Sequence, residues 1–126
     1  MQLTGLVFAG LAAVFHILFF VLESLLWGKP AVNKIFGQTS ETVEITRTLA
    51  YNQGFYNLFI AIGTLVGVWL IATGKNVAGL SLVTFGCGTM IGAAAILFLS
   101  KPQLIRGVLI QGLPPVIALG LLWFAR

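Results

Sequence analysis

Acidic side chains are nearly missing from this chain of 126 residues: aspartate is absent, and three glutamates stand against seven lysines and arginines. Charged residues make up 8%, where a soluble domain carries about 25%, so the chain cannot cover a water-facing surface. That excludes the soluble, disordered and nucleic-acid-binding classes, even though a net charge of +4 would suggest nucleic acid in a soluble protein. A single cysteine, Cys87, excludes an intrachain disulfide, and its apolar surroundings mark it as a small packing residue. One histidine and one intramembrane glutamate fall short of the three protein ligands of a usual catalytic metal site. No Gly-rich phosphate loop, zinc-protease helix motif or serine elbow appears, so no metal or cofactor is expected.

What is present is apolar sequence: 59% hydrophobic residues and a mean hydropathy of +1.05. It falls into four runs, at about 3–27, 48–72, 77–99 and 103–125. At 1.5 Å per residue each is long enough to cross a hydrocarbon core of ~30 Å, and none shows the alternation of a barrel strand. The first run lacks the basic start of a signal peptide and is too long for one. The expected fold is therefore all-α: a polytopic membrane protein, one domain over residues 1–126, built as a four-transmembrane-helix bundle with the lipid bilayer as its partner.

The first loop, Gly28 to Arg47, is long, whereas 73–76 and 100–102 are tight turns. Ser40 with Glu44, and Glu41 beside them, reads as a helix start ahead of the second span. The stretch from Val32 to Phe36 reads as interfacial, with Lys29 and Lys34 reaching headgroups. Lys29, Lys34, Arg47, Lys101 and Arg106 lie on the face of the first and third loops, against Lys75 and Arg126 on the other. This bias puts those loops in the cytoplasm and both termini outside an inner (plasma) membrane. Gly63 with Gly67 and Gly88 with Gly92 form two GxxxG pairs, suited to bundle packing or to a homo-oligomer. Pro114 and Pro115 free the carbonyls of Ile110 and Gln111 and predict a kink.

Six strongly polar residues sit inside the spans: His16, Glu23, Asn52, Gln53, Asn57 and Gln111. Ionisable groups in a bilayer cost several kcal/mol and normally face protein or water, which makes them functional candidates. His16 falls near mid-membrane, Glu23 about 12 Å towards the first-loop face, and Gln53, Asn57 and Gln111 within about 10 Å of the centre on that side. His16 and Glu23 share a stripe with Phe20 and Trp27, while Gln53, Asn57 and Thr64 share another. The expectation is a polar pocket in the inner leaflet half, with Trp27 and Tyr56 as aromatic walls. His16 and Glu23 would be its acid and base, and Trp27, Asn52, Gln53, Tyr56, Asn57 and Gln111 its binding groups. Proton transfer on a small apolar or lipid-like molecule, in the manner of an isomerase or epimerase, suits such a set. A non-catalytic scaffold or partner subunit built on the GxxxG faces, and a transporter for an ion or small solute, remain alternatives. Packing or capping roles for the individual residues remain open as well.

At these residues the chain resembles a family of small bacterial membrane proteins known as domain-of-unknown-function family 1304. The resemblance rests on His16 with LESLLW at 22–27, FG at 36–37, AYNQGFYNLFIAIG at 50–63, FGCGTMIGAA at 85–94 and VLIQGLPP at 108–115, and covers nearly the whole chain. It implies four spans and no established activity, although sequences of this kind sometimes bear the label epimerase. A looser, architectural likeness is to the membrane-associated eicosanoid and glutathione metabolism proteins. Arg47, Gln53 and Asn57 match part of their second-helix pattern, but Tyr56 stands where that pattern has an acid.

Overall fold

A computed structural model describes residues 1–124; Ala125, the expected end of the fourth span, and Arg126, counted above among the outer charges, lie outside the described residues. Among the described residues the chain is all-α. Helix α1 (Gln2–Phe20) passes into a π-helical turn at Val21–Leu25. The short α2 (Pro30–Phe36), α3 (Ser40–Ala72), α4 (Asn76–Ser100), a 3-10 turn at Pro102–Leu104 and α5 (Ile105–Phe124) follow. Four of these segments are long and apolar enough to cross a membrane: Gln2–Leu25, Ser40–Ala72, Asn76–Ser100 and Pro102–Phe124. The protein is a multi-pass membrane bundle.

Local chemistry sets the helix ends. Pro30 occupies the first turn of α2, where its missing N–H costs nothing, and Gly37 closes the helix in the left-handed region at φ 64°. The cap of α3 is Thr39, one residue before the expected Ser40. Its hydroxyl accepts from the Thr42 N–H at 3.2 Å, while the Thr42 hydroxyl accepts from the Thr39 N–H at 2.8 Å. A threonine therefore fills the third position that a glutamate or glutamine usually takes in such a box. The 33 residues of α3 span about 50 Å, well beyond a ~30 Å hydrocarbon core. Its first turns, with Glu41, Glu44 and Arg47, therefore stand outside that core.

The four long helices form a ring in chain order. Helix α1 packs on α3 and α5, α4 packs on the same two, and α1 and α4 face each other across the diagonal. Inward positions are small. Ala50, Gly54, Asn57, Ala61, Thr64, Gly67 and Ile71 make the buried stripe of α3, and Gly5, Ala9, Ala12, Ala13 and His16 that of α1. Small residues are the expected packing device where lipid gives apolar surfaces no reason to associate, because they let backbones approach. The closest crossing joins α3 and α4: a Cβ on Gly79 would stand 2.7 Å from the Gly67 carbonyl oxygen and the Ile71 nitrogen.

Only one of the four GxxxG glycines takes part in that crossing. Gly67 is inside, but Gly63, Gly88 and Gly92 have no neighbour within 4 Å of where a Cβ would be. The partners across the gap are Gly79 and Gly86, the latter against Thr64. The inward stripe of α3 advances by three or four residues and passes through Thr64, which leaves Gly63 one residue, or about 100°, off the contact. In α5 the helix continues unbroken through Pro114 and Pro115, both buried on its inner face.

Candidate intramembrane polar site

The polar half of the bundle is organised by the π turn. Leu26 N–H bonds to the Val21 carbonyl, five residues back, at 3.0 Å, so Glu23 lies in a locally widened helix. Such turns are rare and occur often at functional sites. Two side chains of this turn tie it to α3. Ser24 Oγ donates to the Tyr51 carbonyl at 2.7 Å, and Asn57 Nδ2 donates to Glu23 Oε1 at 3.0 Å. The approach depends on Gly54, where a Cβ would collide with Ser24 Oγ and lie 3.1 Å from the Phe20 carbonyl.

Above this contact the chain seals the helix ends with charge. Arg47 Nη1 donates to the Trp27 carbonyl at 3.0 Å and Nη2 pairs with Glu44 at 2.6 Å. Arg47 holds the Glu44 carboxyl below its ordinary range, through the hydrogen bond first and the charge second. Gly28, at φ 96°, passes so close that a Cβ would stand 2.9 Å from Arg47 Nη2. Trp27 Nε1 donates to the Val43 carbonyl at 3.3 Å, and its ring lies 5.2 Å from Phe36.

Deeper in the bundle, His16 is 1% exposed. Its Nδ1 lies 2.8 Å from the Ala12 carbonyl, and because a carbonyl only accepts, Nδ1 carries the hydrogen. Nε2 of the neutral ring is then a lone pair, and it is buried without a partner. Gly5 meets Leu122 across α1 and α5, and Ala9 and Ala118 share the next buried layer. Continuing that antiparallel register sets His16 level with Gln111, where Pro115 has no N–H to offer the Gln111 carbonyl.

The expected site residues therefore divide. Glu23 and Asn57 meet directly, Trp27 closes the end above them, and His16 and Gln111 stand at a common level further in. Asn57 is 6% exposed, and Thr64 extends its buried face as expected. Gln53 and Asn52 are exposed, and Asn52 donates to the Thr48 carbonyl of its own helix at 2.8 Å. Gln53 does not share the buried face with Asn57, because Gly54 fills the inward position that the Ser24 contact demands. Tyr56, 67% exposed, lies on the outside of the bundle rather than as a wall within it.

The sequence reading missed Ser24, Gly54 and Arg47 as builders of the site. Gly54 sits between polar neighbours and was visible as a small residue; the π turn leaves no compositional mark. An open groove of about 430 Å³ lies at the opposite end of the bundle, between Val77, Leu80, Ser81, Thr84 and Phe85 of α4 and Trp123 of α5. It contains none of these polar residues. Among the described residues, no group of three or more His, Cys, Asp or Glu side chains is placed to hold a metal.

Comparison with known proteins adds the lineage. No curated protein and no solved structure matches the chain. The family model described as "Protein of unknown function (DUF1304)" matches residues 10–123, which include the π turn, the Glu23–Asn57 contact and His16. The chain belongs to the DUF1304 family.

Proposed function

We propose that this protein binds a small apolar or lipid-like molecule in the inner half of the membrane and exchanges a proton with it, as an isomerase or epimerase would. The observation that carries the reading is the Glu23–Asn57 contact: an acid within a π turn, held across two helices by a neutral amide. Burying an acid in lipid without function is costly, and the amide offers no compensating charge. Glu23 is the first acid/base group. His16, with its unpartnered Nε2, is the second, about 10 Å deeper along α1. Trp27, held to α3 through the Val43 carbonyl, and Gln111 on α5 are the further binding groups of this reading, while the exposed Asn52, Gln53 and Tyr56 serve only an outer approach.

The test is native mass spectrometry of the protein released from its expression membrane in mild detergent. A bound amphiphile of defined mass is expected, retained by the unaltered chain and lost in Glu23→Gln and His16→Leu variants that keep their helix content. Equal retention in both variants would reject the site.

A second reading, a scaffold or homo-oligomer, is favoured by Gly88 and Gly92, which are exposed, one turn apart, and have open space above them. Crosslinking in lipid distinguishes it: a dimer or larger species blocked by Gly88→Leu supports it, and monomers alone remove it.

A further inference from the structure

Glu23 is one of only three acids in the chain, and the other two, Glu41 and Glu44, precede the hydrocarbon-crossing part of α3. It therefore stands as the single acid within the stretches that lie in the hydrocarbon core. Among the described residues the one ion pair is Arg47 with Glu44, so no basic side chain neutralises Glu23. On α3 it meets the neutral Asn57, while Arg47 is bound to Glu44 and the Trp27 carbonyl. Gln53 is neutral, and Tyr51 and Tyr56 are exposed. On its own helix His16 lies two turns away with Nδ1 bonded to Ala12; Arg106 on α5 and Lys101, which follows α4 at the same end of the bundle, are both exposed. Lys29 is exposed beyond Gly28.

A carboxyl so placed has two ways to be neutral in a low-dielectric setting: it holds a proton, or it faces a cation supplied from outside the protein. Oε1 accepts from Asn57, which leaves Oε2 for that partner. The one unpartnered atom of the expected acid/base pair repeats the preference, since His16 Nε2, about 10 Å deeper along α1, is also a hydrogen-bond acceptor. We propose that the molecule taken up at Glu23 is a cationic amphiphile, a protonated amine on an apolar body, which binds in competition with a proton. This inference rests on the function proposed above and narrows its ligand to one chemical class. The exchange balances: the amine arrives as the ammonium form, the carboxyl proton leaves to solvent, and an ammonium–carboxylate pair remains.

The experiment uses the full chain in phosphatidylcholine nanodiscs and three probes of equal length: dodecylammonium, dodecanol and dodecanoate. Binding is read from the shift in thermal unfolding midpoint, and proton release from the pH of a weakly buffered sample, with empty nanodiscs subtracted. Dodecylammonium is expected to bind about tenfold or more tighter than dodecanol, to release about one proton per molecule bound, and to lose both signals in Glu23→Gln. Proton release should fade as the pH is raised and Glu23 has no proton left to give. Because preference and proton release are read on the unaltered chain, the test survives a variant that does not fold. Dodecanol binding as tightly as the amine, or dodecanoate binding best, while still depending on Glu23, would overturn the amine and leave the proposed Glu23 site standing. Absence of any Glu23-dependent binding would remove both.

Discussion

The two halves of the bundle use the same small residues to different ends. In the half beside the tight 73–76 turn, Gly67 and Gly79 bring α3 and α4 into backbone contact, and Ala9, Ile71, Val83, Cys87, Ala118 and Leu122 fill the centre with apolar atoms. In the half beside the long first loop, Gly54 likewise brings α3 close to α1, but what it brings together is Ser24, Glu23 and Asn57. Close approach in the first half sets backbone against backbone at Gly67 and Gly79. In the second it places a partly buried acid and hydroxyl against a buried amide. The comparison teaches that close packing sets how firmly a half is held, while the side chains flanking the glycine decide whether that half can do chemistry.

The largest effect should come from the dry half. Gly79→Val drives a side chain against backbone atoms of Gly67 and Ile71, which cannot turn aside, and should cost about 3 kcal/mol or more. Gly54→Ala meets chiefly the Ser24 hydroxyl, which can rotate, and should cost less. Reversible unfolding of both variants in the same lipid checks the order, and a larger loss at Gly54 would break the distinction between the halves.

Next comes Asn57→Leu, which leaves Glu23 without its interhelical donor and should cost about 1–3 kcal/mol. Adding Glu23→Gln to it should recover part of the loss, because an amide is easier to bury than a carboxylate. Glu23→Gln alone should change stability less than Asn57→Leu, since its amide oxygen can still accept from Asn57. A double-mutant cycle on the unfolding midpoint reads both statements.

Gly88→Leu should leave unfolding of the monomer unchanged, because the added side chain enters open space. A large drop in stability would show that this face is covered in the membrane. The smallest effect belongs to the exposed Arg47–Glu44 pair. The folded-state pKa of Glu44 is lowered, so its contribution is present above the unfolded-state value and fades as pH falls through the folded one. Glu44→Gln should remove that shallow acid dependence with little change at neutral pH.

The crossing helices were legible because hydropathy and length decide them locally, and the start of α3 within a residue because Ser40 with Glu41 and Glu44 carries a helix-start pattern, although the box itself is made by Thr39 and Thr42. The polar residues were legible as a set, since any amide or acid in such apolar runs stands out. Their distribution over faces was less so. Gln53 and Gly54 are adjacent in sequence, and the one that lies inward is settled by Ser24 and Phe20 on another helix. Tyr56 beside Asn57 repeats the lesson, as one is exposed and the other buried. The GxxxG spacing identified small residues correctly but not which of them meet a partner, because that depends on the rotation of both helices.

The sequence by itself determined that this chain lives in a bilayer, crosses it with helices and carries too few charges for any other setting; transfer free energies add residue by residue and need no partner. The tertiary structure alone decided that Glu23 lies in a π turn, that Asn57 reaches it, and that His16 Nε2 is buried without a hydrogen bond. Those are properties of rotation and register between helices, fixed by steric contact at a few glycines, and no local preference of the chain encodes them.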